Sequence, residues 1–261
     1  MLGLLENISP LSIALIFVVG FSLVALASQW LAQRFMPGFH FAGATDLGEI
    51  FSDAIGGMFA LLFALVTVAV WQNHDRMATT VSNEANVLHN VYRNLEPYPP
   101  EVRDPCRAKL KDYVNRVVAV EWPLVEQGLQ DPGAHRLITD VNKLLLAYSP
   151  ATLGELPRHG ETLGLVTQYR GLRHDRIRGG LPYLDRTMWT ALVLGAGIYI
   201  VYSSFFRVEN RRAYTVMMAT LGAALGLVFY MLVLYNFVFD GPGGIRPDPF
   251  RELTEKYWLI D

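Results

Sequence analysis

Four stretches of this sequence carry no charged residue: 11–32, 54–72, 188–206 and 214–239. A helix rises about 1.5 Å per residue, so each is long enough to cross a hydrocarbon core roughly 30 Å thick. No other feature restricts the fold so strongly, because a backbone in lipid must satisfy its own hydrogen bonds. The composition agrees. Hydrophobic residues make up 52% of the 261 and mean hydropathy is +0.25, which is high for a soluble domain. Trp30, Trp71, Trp189, Tyr199, Tyr202, Tyr230 and Tyr235 lie in these stretches and include interfacial aromatics. The opening "MLGLLENISP" lacks the basic start of a signal peptide, so the first apolar run is read as retained.

The expected fold is therefore an all-α membrane protein with four transmembrane helices and a large helical soluble insert between the second and third. Residues 1–72 hold the first two spans, 73–186 the insert, 187–239 the last two spans, and 240–261 a tail. No breaker separates the second span from "HDRMATTVSNEANVLHNVYRNLEPYPP". One long helix is expected to run through both and end near Pro97, with Met77, Val81, Ala85, Leu88, Tyr92 and Leu95 inward. A second insert helix has Leu110, Tyr113, Val117, Val120 and Val125 inward and a kink at Pro123. Two more helices follow, and Gly179, Gly180 and Pro182 lead back to the membrane.

Four spans put both termini and the insert on one side. That side has Arg76, Arg170, Arg173, Arg176, Arg178 and Arg186; the other has Arg34, Arg207, Arg211 and Arg212. The balance favours a cytoplasmic insert, cytoplasmic termini and residence in the inner (plasma) membrane. Net charge is −2, which gives no basic field for nucleic acid. The lone Cys106 excludes an intrachain disulfide.

At about 100° per residue, Asp46, Glu49, Asp53, Gly57, Ala60, Ala64, Thr67, Trp71 and Asp75 share one side of the second span, with Met58, Leu62, Leu65, Val66 and Ala69 opposite. Ala78, Ser82, Ala85 and His89 continue the line. Two readings stay open. Small residues let membrane helices pack closely, and acids suit a helix N-terminus. Copies of the helix around a symmetry axis would instead make a pore, with Glu49 and Asp53 at the mouth, Gly57, Ala60, Ala64 and Thr67 along it, and Trp71 near the inner end. Gly222 and Gly226 form a G-x-x-x-G pair that suits close helix contact. The basic cluster Arg170, Arg173, Arg176 and Arg178, with His174, reads as a topology signal and lipid-headgroup contact, or as an anion funnel at the pore's inner end.

No G-x-S-x-G, P-loop or H-E-x-x-H is present, so no catalytic residue, metal site or cofactor is expected. His74 and Asp75 adjoin but point about 100° apart, which does not make converging ligands.

The chain resembles the bestrophin-like domain family. The residues that carry the likeness are the span "IGGMFALLFALVTVAVW", then Glu84-Ala85, Tyr113, the triplet Glu121-Trp122-Pro123, the run from Arg173 to Pro182, the span from Trp189, and the Asp/Pro tail. The family pattern near Asp240 would be Asp-x-Pro-Phe-x-Gly; here Gly243 stands in place of the phenylalanine. The resemblance implies four spans with a cytosolic helical insert. More distantly, it implies a likeness to bestrophins, pentameric ion channels whose second span lines the pore. A homo-oligomer conducting inorganic ions among membrane lipids follows as the expectation. The alternative is a membrane-anchored sensor or scaffold whose insert binds a partner. From the residues themselves, Glu121 is expected to pair with an insert arginine and Trp122 to anchor the core.

Overall fold

The computed structural model describes residues 9–36, 45–206 and 210–258, without the side chains of residues 45–47 and 49. Among the described residues all regular structure is helical. The chain divides into two compact units.

The first unit comprises Met1–Asn73, Tyr183–Asn236 and Asp240–Gly243. It contains α1 (Pro10–Phe35), the first part of α2 (Thr45–Asn94), α7 (Arg186–Ser203) and α8 (Arg211–Asn236). Ser9 caps α1 by accepting from the Ser12 amide, and Pro10 supplies the preset first turn. Pro10–Phe35, Ile50–Asn94 and Arg211–Asn236 are long and apolar enough to cross a membrane. Helix α7 coincides with the third expected stretch but is not among those three. It has only 18 residues, opens on Arg186, and its apolar run is diluted by Tyr199 and Tyr202.

Helices α1 and α8 touch backbone to backbone at the glycine pair. A Cβ on Gly222 would come within 2.5 Å of the Phe21 carbonyl oxygen, and one on Gly226 within 2.5 Å of that of Phe17. Only glycine permits that approach. Phe229 of α8 stacks on Phe21 at 4.7 Å between ring centroids and meets Phe63 of α2 edge-on at 5.0 Å. The Phe59 ring occupies the space that a side chain at Gly195 would fill. The face of α2 used here is Phe59, Phe63, Val66 and Val70, all buried. Their spacings of three and four make one helical stripe.

The second unit comprises His74–Pro182, Phe237–Phe239 and Gly244–Asp261. It contains the rest of α2, α3 (Pro100–Arg116), a π-helical turn (Val117–Glu121), α4 (Trp122–Val125), α5 (Pro132–Ala147), α6 (Glu155–Arg178) and the tail helix α9 (Asp248–Glu252). Met77, Val81, Ala85, Leu88, Tyr92 and Leu95 are all buried, as their periodicity predicts. The helix ends at Asn94, a little before Pro97, because Pro97, Pro99 and Pro100 follow so closely.

One expected inward residue is corrected. Val120 is exposed and Glu121 is fully buried in its stead. The cause is the π turn. Pro123 has no N–H to donate to the Ala119 carbonyl, and its ring crowds that group. The chain responds by widening the turn before it, which spends one extra residue. Periodicity counted at about 100° per residue therefore loses phase here, and the buried position passes from a valine to an acid.

Candidate functional site

Helix α2 presents three different sectors along its apolar part. Taking Asp53 as the origin and about 100° per residue, the buried phenylalanine–valine stripe is centred near −100°. Asp53, Gly57, Ala60, Ala64, Thr67 and Trp71 fall within about 40° of the origin. Met58, Leu61, Leu62, Leu65 and Val68 fill the remaining side and are exposed. In the small sector Asp53, Gly57, Ala60, Ala64 and Trp71 are exposed and Thr67 is half-buried. A Cβ on Gly57 would meet nothing within 4 Å. The Thr67 hydroxyl turns back and donates to the Phe63 carbonyl at 2.7 Å. The side chain of Glu49 lies outside the described residues, as does that of Asp46. Among the described residues the small side chains thus form no seam; packing there uses the neighbouring sector. Nor does the stripe continue cleanly past residue 75. Ser82 is exposed, but Ala85 is buried in the second unit's core.

The basic cluster separates into two pairs. Arg170 and Arg178 are exposed, whereas Arg173 and Arg176 are buried. On α6, Tyr169, Arg173 and Arg176 stand at i, i+4 and i+7, on one face. That face is turned into the second unit, where it meets Glu84 of α2 and Glu121 of the π turn. Arg176 Nε donates to Glu84 Oε2 at 2.6 Å, and its Nη2 donates to Glu84 Oε1 at 3.1 Å and to Glu121 Oε1 at 2.7 Å. Arg173 donates from Nε to Glu121 Oε1 at 3.2 Å and from Nη2 to Oε2. The Asp131 amide completes the Glu121 carboxylate at 3.1 Å. Two acids thus balance two bases in the interior. The Arg176 guanidinium also lies 5.4 Å from the Trp122 ring centroid and 5.6 Å from that of Phe250, a distance at which the ring quadrupole attracts a cation.

Charge and burial compete at the two acids. Burial pushes the Glu84 carboxyl above its ordinary value, against the pull of Arg176. At Glu121 burial is the largest single influence and acts upward, but hydrogen bonds and charges from Arg173 and Arg176 together hold the group below its ordinary value. Arg176 is raised by Glu84 and Glu121 despite burial, its largest influence, and stays charged. A four-residue hub of this kind cannot serve as an anion funnel, because the two buried guanidinium groups are already neutralised.

The tail closes over the same unit. Phe250 packs edge-on against Trp122 at 5.9 Å. Trp258 stacks on Tyr92 at 4.6 Å with an interplanar angle of 11°, and its indole N–H donates to His89 Nδ1 at 3.3 Å. Lys111 Nζ donates to the Trp258 carbonyl at 3.0 Å. His89, expected on the small line of α2, is therefore engaged by the tail. The pairing of Glu121 with insert arginines and the burial of Trp122 agree with the sequence reading. The roles of Glu84, Arg173 and Arg176 were not read there. Their signal is that each is a charged residue in phase with an apolar stripe: Val81, Glu84, Leu88 on α2, and Val166, Tyr169, Arg173 on α6.

Among the described residues no group of three or more His, Cys, Asp or Glu side chains is placed to hold a metal.

A bilayer-length apolar helix in one unit and a buried ionic hub in the other define a helical membrane protein. The chain belongs to the Bestrophin-like domain family, whose model matches residues 19–250. Its fold is similar to that of a bacterial bestrophin homologue from Klebsiella pneumoniae solved as a point variant, with a TM-score of 0.60 at 12% identity over 96% of this chain and 98% of that one. It is also similar to a second crystal structure, of a membrane protein point variant, with a TM-score of 0.58 at 13% identity over 96% and 97% of the two chains. At such identities the likeness is one of fold. No curated protein matches the sequence.

Proposed function

We propose that this chain is one subunit of a symmetric homo-oligomeric ion channel in the inner membrane, with the apolar part of α2 around the axis. Four helices span the bilayer, α7 being the third, and the second unit and both termini lie in the cytoplasm. Asp53, with Glu49 one turn earlier, forms the outer mouth. Gly57, Ala60, Ala64 and Thr67 line the conduit and Trp71 narrows its inner end. The observation that carries this reading is the exposed small-residue sector of α2. It differs from the sector that packs inside the chain, and it differs from the sector of large apolar residues suited to lipid or a neighbouring subunit. Family membership supports it, as does the likeness in fold to a bestrophin homologue. Acids at the mouth concentrate cations. In this reading Arg170 and Arg178, the two basic residues of the cluster that are exposed on α6, meet lipid headgroups or solution ions.

Thiol accessibility tests the lining. Cys106 is buried, and burial pushes its thiol up to about 11, so the native background is silent. Single cysteines at Gly57, Ala60 and Ala64 are expected to react with a charged, membrane-impermeant reagent and to block potassium current in planar bilayers. Cysteines at Leu61 and Leu65 are expected not to. Equal reaction of both sets, or current unaffected by labelling of the small set, would move the axis away from this face.

A further inference from the structure

Five buried polar atoms of the second unit have no hydrogen-bond partner among the described residues, and three of them belong to the hub and the tyrosines beside it: Arg176 Nη1, Tyr113 Oη and Tyr169 Oη. All three residues are 0% exposed. The two tyrosine rings meet edge-on, 5.4 Å between centroids, and Tyr169 shares the inward face of α6 with Arg176. An unpaired buried donor costs about 1–3 kcal/mol, and Tyr113 connects the other two, through its ring contact with Tyr169 and the electrostatic influence of Arg176 on its phenol, so the group calls for shared partners.

The hub itself cannot supply that partner. Both oxygens of Glu84 are taken by Arg176. Both oxygens of Glu121 are taken by Arg173, Arg176 and the Asp131 amide. Arg176 Nη1 is a donor only, so the missing group must accept. A cation is excluded by that requirement. An anion is disfavoured because two arginines and two glutamates already cancel, and one more buried charge would stand uncompensated. A neutral group that both accepts and donates satisfies all three atoms. Burial, and after it the Glu84 charge, push the Tyr113 phenol well up, so that it stays protonated.

We propose that Arg176 Nη1, Tyr113 Oη and Tyr169 Oη line an internal hydration site, in which buried water ties the arginine–glutamate hub to the hydroxyls of α3 and α6. Water suits the site because it makes two to four bonds and carries no charge. This inference does not depend on the channel reading.

The stability of the full chain in detergent gives the first test. A tyrosine hydroxyl that is truly unpaired is a burden, so Tyr113→Phe and Tyr169→Phe would raise the unfolding midpoint or leave it unchanged. A hydroxyl bound to water loses a bond on substitution, so each variant is expected to lower the midpoint. The double variant is expected to lower it by less than the two single effects added. A raised or unchanged midpoint in both single variants overturns the proposal. The second test is a structure of the full chain, from crystals grown in potassium bromide, at a resolution that shows ordered water. A peak within about 3.2 Å of Arg176 Nη1 and of one tyrosine oxygen, without bromide anomalous signal, is expected. Bromide signal at the peak would make it a halide site and overturn the proposal, as would a well-resolved hub with no peak.

Discussion

Arg176 holds Glu84 with two nitrogens, Nε at 2.6 Å and Nη2 at 3.1 Å, across 92 positions of sequence. Both side chains are wholly removed from solvent. The same guanidinium reaches Glu121, so one side chain of α6 fastens α2 to the π turn.

Breaking that hub from one side is expected to be severe. Glu84→Met or Arg176→Met leaves an uncompensated charge in the interior, at about 3–5 kcal/mol. The double variant Glu84→Met with Arg176→Met should lose less than the sum of its parts, because no charge is stranded at that pair. Chemical unfolding of the detergent-solubilised protein, read as a double-mutant cycle, measures this. Additive losses would mean that the pair is not coupled.

Acid should act through Asp131. The Arg116 guanidinium holds its carboxyl down to about 2 from 3.8, against a smaller upward effect of burial. The folded value lies below the unfolded one, so the charged form contributes stability above pH about 4 that is lost as pH falls toward 2. Asp131 also caps α5 by accepting from the Ala134 amide at 2.7 Å, and Asn keeps a capping oxygen without the charge. Asp131→Asn should therefore melt lower than the parent at pH 6 and approach it at pH 2. A gap that does not depend on pH would show that the charge is not the source.

The two groups of glycines should respond in opposite ways. Gly222→Leu drives a side chain into the α1 backbone, and overpacking of that kind costs about 1–3 kcal/mol or more. Gly57→Ala adds a methyl to open space and replaces a helix-interior glycine, which favours the helix by up to about 1 kcal/mol. Thermal melts of the two variants should move in opposite directions. In bilayers Gly57→Ala should lower the conductance if the small sector faces the axis.

The tail depends on one ring. Trp258→Ala removes the stack on Tyr92 and the bond to His89, and losing a buried aromatic costs about 3–5 kcal/mol. Limited proteolysis should then cut within residues 240–247 faster than in the parent. Equal cutting of both would show that Phe250 alone retains the tail.

Much of this was legible in the sequence because periodicity and charge are local signals. The apolar stripe after residue 73, the close-contact role of Gly222 and Gly226, and the burial of Trp122 could be read from the sequence, whereas the stripe Phe59, Phe63, Val66 and Val70 was not. What failed was non-local or depended on phase. A run of arginines next to a membrane span looks the same whether its members face headgroups or glutamates from helices far off in the chain. Arg173 and Arg176 could be told from Arg170 and Arg178 only by tracing the apolar stripe of α6 through them. Val120 was misplaced because a π turn breaks the constant angle on which the counting rests. The small sector of α2 was visible as a pattern.

The widened turn at Val117–Glu121 has a consequence for length. It stores one residue of slack between Tyr113 and Pro123. Removing a single residue there would let the helix close to the ordinary α pitch, and an insertion would lengthen the slack. After the deletion Glu121 would fall in the inward place that counting at about 100° per residue gives to residue 120, still facing Arg173 and Arg176, whereas an insertion would turn it away from them. Tolerance to a change of length is therefore one-sided in this segment: a chain one residue shorter keeps its charge balance, and one a residue longer loses that balance before it loses its helix.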